Sequence, residues 1–161
     1  MSTGLGARLD ELAGTPAERF TRHRGAMLVL DRLEEMALDR AVCTWRVPKN
    51  HPLFGTLRGV PVYVGIECMA QCVAVHAGAL ASLDGHGPPL GLLLGTRLFR
   101  ASEDFLREGV KYHVECRELV RDGQGLASFD CSIEHDDSTI TVCRLTVYQF
   151  QQGARFDDYD A

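Results

Sequence analysis

Two residues in this chain stand out as able to do acid–base chemistry: a histidine on a Pro- and Gly-bracketed loop, and a lone carboxylate in an apolar, small-residue segment. His51 lies in Asn50-His51-Pro52-Leu53-Phe54. Glu67 follows sixteen residues later, inside Gly59-Val60-Pro61-Val62-Tyr63-Val64-Gly65-Ile66-Glu67-Cys68-Met69-Ala70-Gln71. A carboxylate among such neighbours is costly to bury without a partner or a purpose. A neutral imidazole can take a proton and a protonated carboxyl can give one, so His51 as base and Glu67 as acid could move two protons on one substrate. An apolar pocket favours the neutral carboxylic acid that this role needs, against the pull of a nearby helix N-terminus. Gln71, one helical turn beyond Glu67, is spaced to orient the carboxyl. Backbone N–H groups at the open end of that helix, around Val62, Tyr63, Val64 and Gly65, would suit a substrate oxygen that gains charge. Plainer readings stand beside these. Glu67 could be a buried acid paired with Arg58 or Arg97, and His51 could pack on Pro52 or cap a turn.

The elements that must position these residues follow from periodicity. Residues 8–20 carry a weak helical pattern cut by Gly14 and Pro16. Residues 26–33 are apolar and β-compatible, and 41–47 alternate, which predicts a strand pair around a turn near Leu38-Asp39. A helix is expected from about Pro61 to Leu83, closed by Asp84-Gly85-His86-Gly87-Pro88-Pro89. It is apolar nearly all round, as a helix buried on most sides reads. Four β-rich segments follow at 91–99, 109–120, 125–134 and 139–150. In the second, Val110, Tyr112, Val114 and Cys116 share one face, with Lys111, His113, Glu115 and Arg117 opposite. In the last, the phase slips between Val142 and Cys143, so a bulge lies there or both faces are covered. The order is a strand pair, one long buried helix and a meander of hairpins. One antiparallel sheet curled around one helix accounts for it, an α+β arrangement.

Composition bounds the alternatives. A chain of 161 residues has room for one core, so residues 1–161 form a single domain with its core at about 22–150. The termini, residues 1 to about 15 and Asp157-Asp158-Tyr159-Asp160, are expected to be frayed or loosely docked. A net charge of −5 without a basic run argues against nucleic acid. No stretch reaches about 18 uninterrupted apolar residues and no signal-peptide pattern opens the chain, so no membrane span and a cytoplasmic location are expected. Six cysteines fall mostly in apolar runs with no CxxC, and buried reduced thiols are expected rather than disulfides. Cys68, Cys72 and His76 recur every four residues, but the stripe lacks a fourth ligand and reads as helix packing, so no metal or other cofactor is implied. His23 with Arg24 is expected to anchor the first strand, and His86, His113 and His135 to lie on the surface. Trp45, Phe99, Phe105 and Phe129 are either core or the lining of a tunnel.

This order, with this helix motif, resembles the hotdog fold, and more narrowly the β-hydroxyacyl-acyl-carrier-protein dehydratases. The opening Pro-His-Arg-like motif of that family has its counterpart in Arg22-His23-Arg24 and the segment running on to Arg32. In the helix, Pro61, Gly65, Glu67 and Gln71 match the family's Pro, helix Gly, acid and Gln without a gap. A branch of dehydratase-like proteins from aryl-polyene and xanthomonadin-type pigment clusters is more similar still, through Gly59 to Gln71 and Leu93-Leu94-Gly95-Thr96-Arg97. The chain departs from the dehydratases in two places. Val62 replaces the Gly after the Pro, and the family's histidine position holds Leu53, with His51 two residues further back.

The resemblance implies a dimer, with His51 of one subunit facing Glu67 of the other and the acyl chain along the interface. It implies dehydration of 3-hydroxyacyl thioesters on acyl carrier protein to trans-2-enoyl thioesters, in fatty-acid or aryl-polyene biosynthesis. Arg97, Arg100 and Lys111 are candidate contacts for the acidic carrier. Two other roles remain open at this level: a hotdog acyl thioesterase, and a catalytically silent subunit paired with a second hotdog dehydratase chain. The dimer is accordingly a homodimer or a heterodimer.

Overall fold

The computed structural model describes residues 2–159. Helix α1 (Ser2–Asp10) leads through two short 3-10 turns, Ala17–Phe20 and Gly25–Met27, to strands β1 (Arg32–Met36) and β2 (Arg40–Arg46). A two-residue strand β3 (Val60–Pro61) precedes the central helix α2 (Gly65–Leu83). After it come β4 (Gly91–Ala101), the short β5 (Phe105–Leu106), β6 (Lys111–Arg121), β7 (Leu126–His135) and β8 (Ser138–Gln149). Six strands form one antiparallel sheet in the order β1-β2-β6-β7-β8-β4, and β3 pairs with β5 apart from it. The sheet curves around α2, which is the α+β hotdog arrangement expected from the element order.

Alternation along β6 explains why the sheet closes on the helix. Tyr112, Val114 and Cys116 are fully buried, while His113 and Arg117 on the other face are exposed. Strand β7 repeats the pattern with Ala127, Phe129, Cys131 and Ile133, and β8 with Thr141, Cys143, Leu145 and Val147. From α2, Cys68, Met69, Cys72, Val75 and Ala79 fill the space between, all without exposure. Each fully buried side chain of Val, Leu or Met size contributes roughly 1.5–3 kcal/mol by leaving water. Val62–Leu83 is long and apolar enough to cross a membrane, yet it is mostly buried here and serves as the core helix.

Several boundaries differ from the sequence expectation. The first strand begins at Arg32, not near residue 26, because Gln71 rather than a neighbouring strand takes up the backbone at Met27 and Val29. The α-helix begins at Gly65: Pro61 is extended at φ −53, ψ 135, and the Val62 N–H donates to Asp104 O, so the chain pairs with β5 before it turns. The phase slip read between Val142 and Cys143 corresponds to two irregularities: one within β8 at Ile140, where Ile133 pairs Thr141 but Glu134 pairs Thr139, and one on β4 opposite Cys143, where Arg97 pairs Arg144 but Arg100 pairs Val142. The N-terminal segment is docked. Leu9 is buried, the Arg8 guanidinium donates to Leu83 O, and the Gly14 and Ala17 amides bond to Leu33 and Asp31. At the other end Phe156–Tyr159 makes a 3-10 turn with Asp157 and Asp158 exposed, and Asp160 lies outside the described residues.

One glycine fixes how closely the N-terminal segment can approach the helix. A Cβ at Gly78 would sit 1.8 Å from Phe20 O, so only glycine lets residues 17–20 cross α2 there. Trp45 and Phe129 are core; Phe105 lies beneath the Arg58 guanidinium at 4.5 Å, and Phe99 packs half-buried against the core. All six cysteines are free and buried, and burial pushes the thiols of Cys68, Cys72, Cys116, Cys131 and Cys143 upward. They pack as small hydrophobes. His76, on the same helix stripe, reaches Ala37 O and Leu38 O through Nε2.

Candidate active site

Glu67 lies in the first turn of α2 and Gln71 one turn beyond. Gln71 is fully buried and fully used. Its Nε2 donates to Glu67 Oε1 at 2.7 Å and to Met27 O at 2.6 Å, and its Oε1 accepts the Val29 N–H at 3.0 Å. One side chain thus sets the carboxylate of Glu67 and pins the segment before β1 against the helix. Beyond the contact to Glu67, the link to the 27–29 backbone gives Gln71 a structural duty.

That pinned segment brings His23, not His51, to Glu67. His23 Nε2 stands 3.6 Å from Glu67 Oε1, with both side chains about one-third exposed. The other ring nitrogen, Nδ1, is 2.6 Å from Thr21 Oγ1, itself buried. Arg24 ties the turn by donating to Thr21 O and His23 O, and Arg22 fastens it to Pro88 O. His23 is therefore no strand anchor: β1 starts nine residues later, and the imidazole faces a cavity. The signal that could have found it was present, since the Arg22-His23-Arg24 motif supplies a second histidine to the resemblance. Nothing in one-dimensional spacing says that residues 23 and 67 meet; the Gln71 side chain does that.

His51 is buried, stacks on Phe54 with ring centroids 5.0 Å apart, and meets the edge of Trp45 at 6.3 Å. Its Nδ1 accepts backbone N–H groups from Leu53 at 3.2 Å and Phe54 at 3.1 Å. An amide can only donate, so Nδ1 carries a lone pair and the neutral ring keeps its proton on Nε2. Burial also pushes the His51 pKa below its ordinary value. In this geometry His51 caps a turn, and its remaining nitrogen offers a donor where a base would need a lone pair. Among the described residues Glu67 has no ion pair with His51 and none with Arg58 or Arg97.

The helix-end residues expected to bind substrate are placed differently. The Val62 amide is taken by Asp104 O at 2.9 Å, and the Gly65 amide points to the carbonyls of Tyr63 and Val62. Neither is open to a substrate oxygen. Val64 is buried, and Tyr63 is 65% exposed in a separate shallow groove with Leu57, Arg58 and Phe105. Arg97 and Arg100 are exposed on β4, whereas Lys111 lies on β6 beside Glu34 at 3.5 Å. With β7 and β8 between them, the two strands are about 14 Å apart, so the three cations form no single patch.

The His23–Glu67 pair opens into a cavity of 420 Å³. Ala70, Ala74 and Ala77 form its helical wall, Pro88 to Leu93 another, and Val147, Tyr148 and Gln149 of β8 a third. Such a wall suits a long apolar substrate, and the two titratable groups at one end suit proton transfer at that substrate's reactive atoms.

A match to the ApeP-like family, described as ApeP dehydratase, spans residues 15–158. The chain belongs to the ApeP-like dehydratase family. It is thus a dehydratase of the aryl-polyene type, as the resemblance in the helix motif implied. No curated protein matches the sequence. Among solved structures the fold is similar to the dehydratase heterocomplex ApeI:P from Xenorhabdus doucetiae, at 22% identity and a TM-score of 0.81, covering 91% of this chain and 99% of that one. It is also similar to a hypothetical thioesterase with coenzyme A from Streptococcus pneumoniae, at 12% identity and TM-score 0.58, covering 76% and 88%. An HP0420 homologue from Helicobacter felis gives 11% identity and TM-score 0.64, covering 95% and 93%. These likenesses carry the hotdog fold; the ApeP-like match carries the reaction class.

Proposed function

We propose that this ApeP-like dehydratase converts 3-hydroxyacyl thioesters carried by acyl carrier protein to trans-2-enoyl thioesters, in aryl-polyene rather than general fatty-acid synthesis. His23 and Glu67 of one chain are the proton-transfer pair. The observation that carries this is the 3.6 Å approach of His23 Nε2 to Glu67 Oε1 at the end of an apolar cavity, with Gln71 holding the carboxylate.

Elimination needs one proton taken from the carbon beside the thioester carbonyl and one given to the departing hydroxyl, which leaves as water. A neutral His23 takes the first and a protonated Glu67 gives the second. The pair then holds imidazolium and carboxylate, with the same number of protons as at the start. Transfer across the short gap, directly or through one water, restores it, so no proton has to come from outside. Positioned groups of this kind contribute typically 10²–10⁴-fold each. His51, the base expected from the sequence, is assigned instead to holding the 51–55 turn.

The partner we propose is a second hotdog dehydratase chain, as in the ApeI:P heterocomplex, seated on β4. That strand is a sheet edge, eleven residues long, and exposes Leu92, Leu93, Leu94 and Leu98. An exposed apolar edge of that length is a liability unless another strand pairs with it. Arg97 and Arg100 border the same edge and are the better candidates for the acidic carrier; Lys111 is not grouped with them. Six buried thiols suit a reducing compartment, in keeping with a cytoplasmic location.

The test is turnover of a carrier-bound 3-hydroxyacyl thioester by the purified protein, followed as formation of the conjugated enoyl product. Product formation that Glu67→Gln abolishes is the expected result. Release of free thiol in place of enoyl product would make the chain a thioesterase, and activity only after adding a partner chain would make it a supporting subunit.

A further inference from the structure

The cavity that starts at Glu67 does not end in hydrocarbon. Along its helical wall Ala77 lies about 15 Å beyond Glu67, at 1.5 Å per residue. At that far end stand Arg121, the last residue of β6, and Gln149, the last of β8. The neighbour of Ala77 fixes this placement: His76 Nε2 lies 3.1 Å from Leu38 O, the Glu118 amide bonds the next carbonyl, Asp39 O, and Arg121 binds the Glu118 carboxylate.

Arg121 is held in place. Its Nε and Nη2 donate to the Glu118 carboxylate at 3.2 and 2.8 Å, and its Nη1 donates to Gln149 Oε1 at 3.2 Å. Because guanidinium only donates, the Gln149 carboxamide must turn its oxygen toward Arg121, which leaves its NH₂ as a donor. The far end of the cavity is thus rich in donors, while Glu118 offsets the charge of Arg121. A methyl terminus pressed against these groups would strip them of water and return nothing. A neutral oxygen would replace that water.

We propose that Arg121 and Gln149 read the far end of the acyl chain, selecting chains that end in a neutral oxygen acceptor, a hydroxyl or carbonyl, over methyl-ended chains of equal length. The inference rests on the cavity being the acyl site of the reading above. Arg121 and Gln149 act on specificity and have no part in the proton transfers.

The test is calorimetric binding of two saturated acyl-pantetheine thioesters matched in length to the cavity, one ending in hydroxyl and one in methyl. The parent protein is expected to bind the hydroxyl-ended chain about tenfold more tightly, a difference of about 1.4 kcal/mol. Arg121→Leu and Gln149→Leu should each remove most of that preference. If Arg121→Leu fails to fold because Glu118 loses its partner, Gln149→Leu carries the test. Equal affinities in the parent, or a preference kept in the folded variants, would overturn the inference. Turnover of a 3-hydroxybutyryl thioester, too short to reach Arg121, separates the two readings. If it is dehydrated while both long chains bind alike, only the distal selection fails. If it is not dehydrated and neither long chain binds, the functional reading fails with it.

Discussion

His23 and His51 both sit on irregular backbone before α2, and they differ in what their Nδ1 atoms meet. At His51, Nδ1 faces two backbone amides, so the ring is locked as a neutral Nε2–H tautomer and stacked on Phe54. At His23, Nδ1 meets a hydroxyl that can donate or accept, and Nε2 stands 3.6 Å from a carboxylate at the end of a cavity. The difference teaches that a histidine's usefulness as a base is decided by the group behind it. An amide behind the ring removes the choice of tautomer, whereas a hydroxyl leaves it open.

The widest gap between the two regions should appear in turnover. Glu67→Gln and His23→Ala are each expected to lower kcat/KM by about 10²–10⁴-fold, the range for a positioned acid or base. His51→Ala should stay within about threefold for the chemical step, since general-acid or base effects of that size are then absent. A loss in His51→Ala equal to that in Glu67→Gln would put the reacting histidine on the other loop. Next comes Gln71→Leu, which leaves Glu67 free to turn and strands the buried Val29 N–H. Stability is expected to fall by about 1–3 kcal/mol for the unsatisfied group, measured by urea unfolding. Activity should fall with it in the folded fraction, because the 21–29 segment loses its hold on α2.

His51→Ala should show its effect on the stability axis. Two amides lose their acceptor and Phe54 loses its stacking partner, a cost of about 1–2 kcal/mol by analogy with the loss of a helix cap. His51→Asn, which can accept the same amides, is expected to recover part of it. The smallest effect is in pH. Burial holds the pKa of both His51 and His76 below 6.5, so the unfolded chain takes up protons at these sites before the folded one. Their contribution is full above pH 6.5 and is lost as pH falls through the folded values. Thermal melts between pH 7.5 and 5 should show this decline, and His51→Asn should flatten part of it.

Much of the fold was legible because β6, β7 and α2 carry clean periods. Tyr112-Val114-Cys116 alternates, and α2 is apolar all round, so a wrapped helix was the economical answer. The beginning of α2 and of β1 was not legible, because both are set by a few long-range hydrogen bonds, Val62 to Asp104 and Gln71 to residues 27 and 29. The Gln71 bonds also hid the candidate site. Glu67 and Gln71 could be found from their spacing on one helix face, but His23 comes to them from 44 residues away through a side chain acting as a strand partner. His51 attracted the role because a loop histidine near a helix start looks poised. Its engagement with Leu53 and Phe54 is local backbone geometry that residue types alone do not encode.

The central claim is that His23, and not His51, is the histidine next to Glu67. Nitrogen-15 NMR of the imidazole rings in the parent and in Glu67→Gln tests it most directly. The account predicts that the His23 ring resonances move in the variant while those of His51 stay in place and report an Nε2–H tautomer. Movement of the His51 resonances with His23 unchanged would contradict it, and would place His51, from this chain or a partner, at the carboxylate.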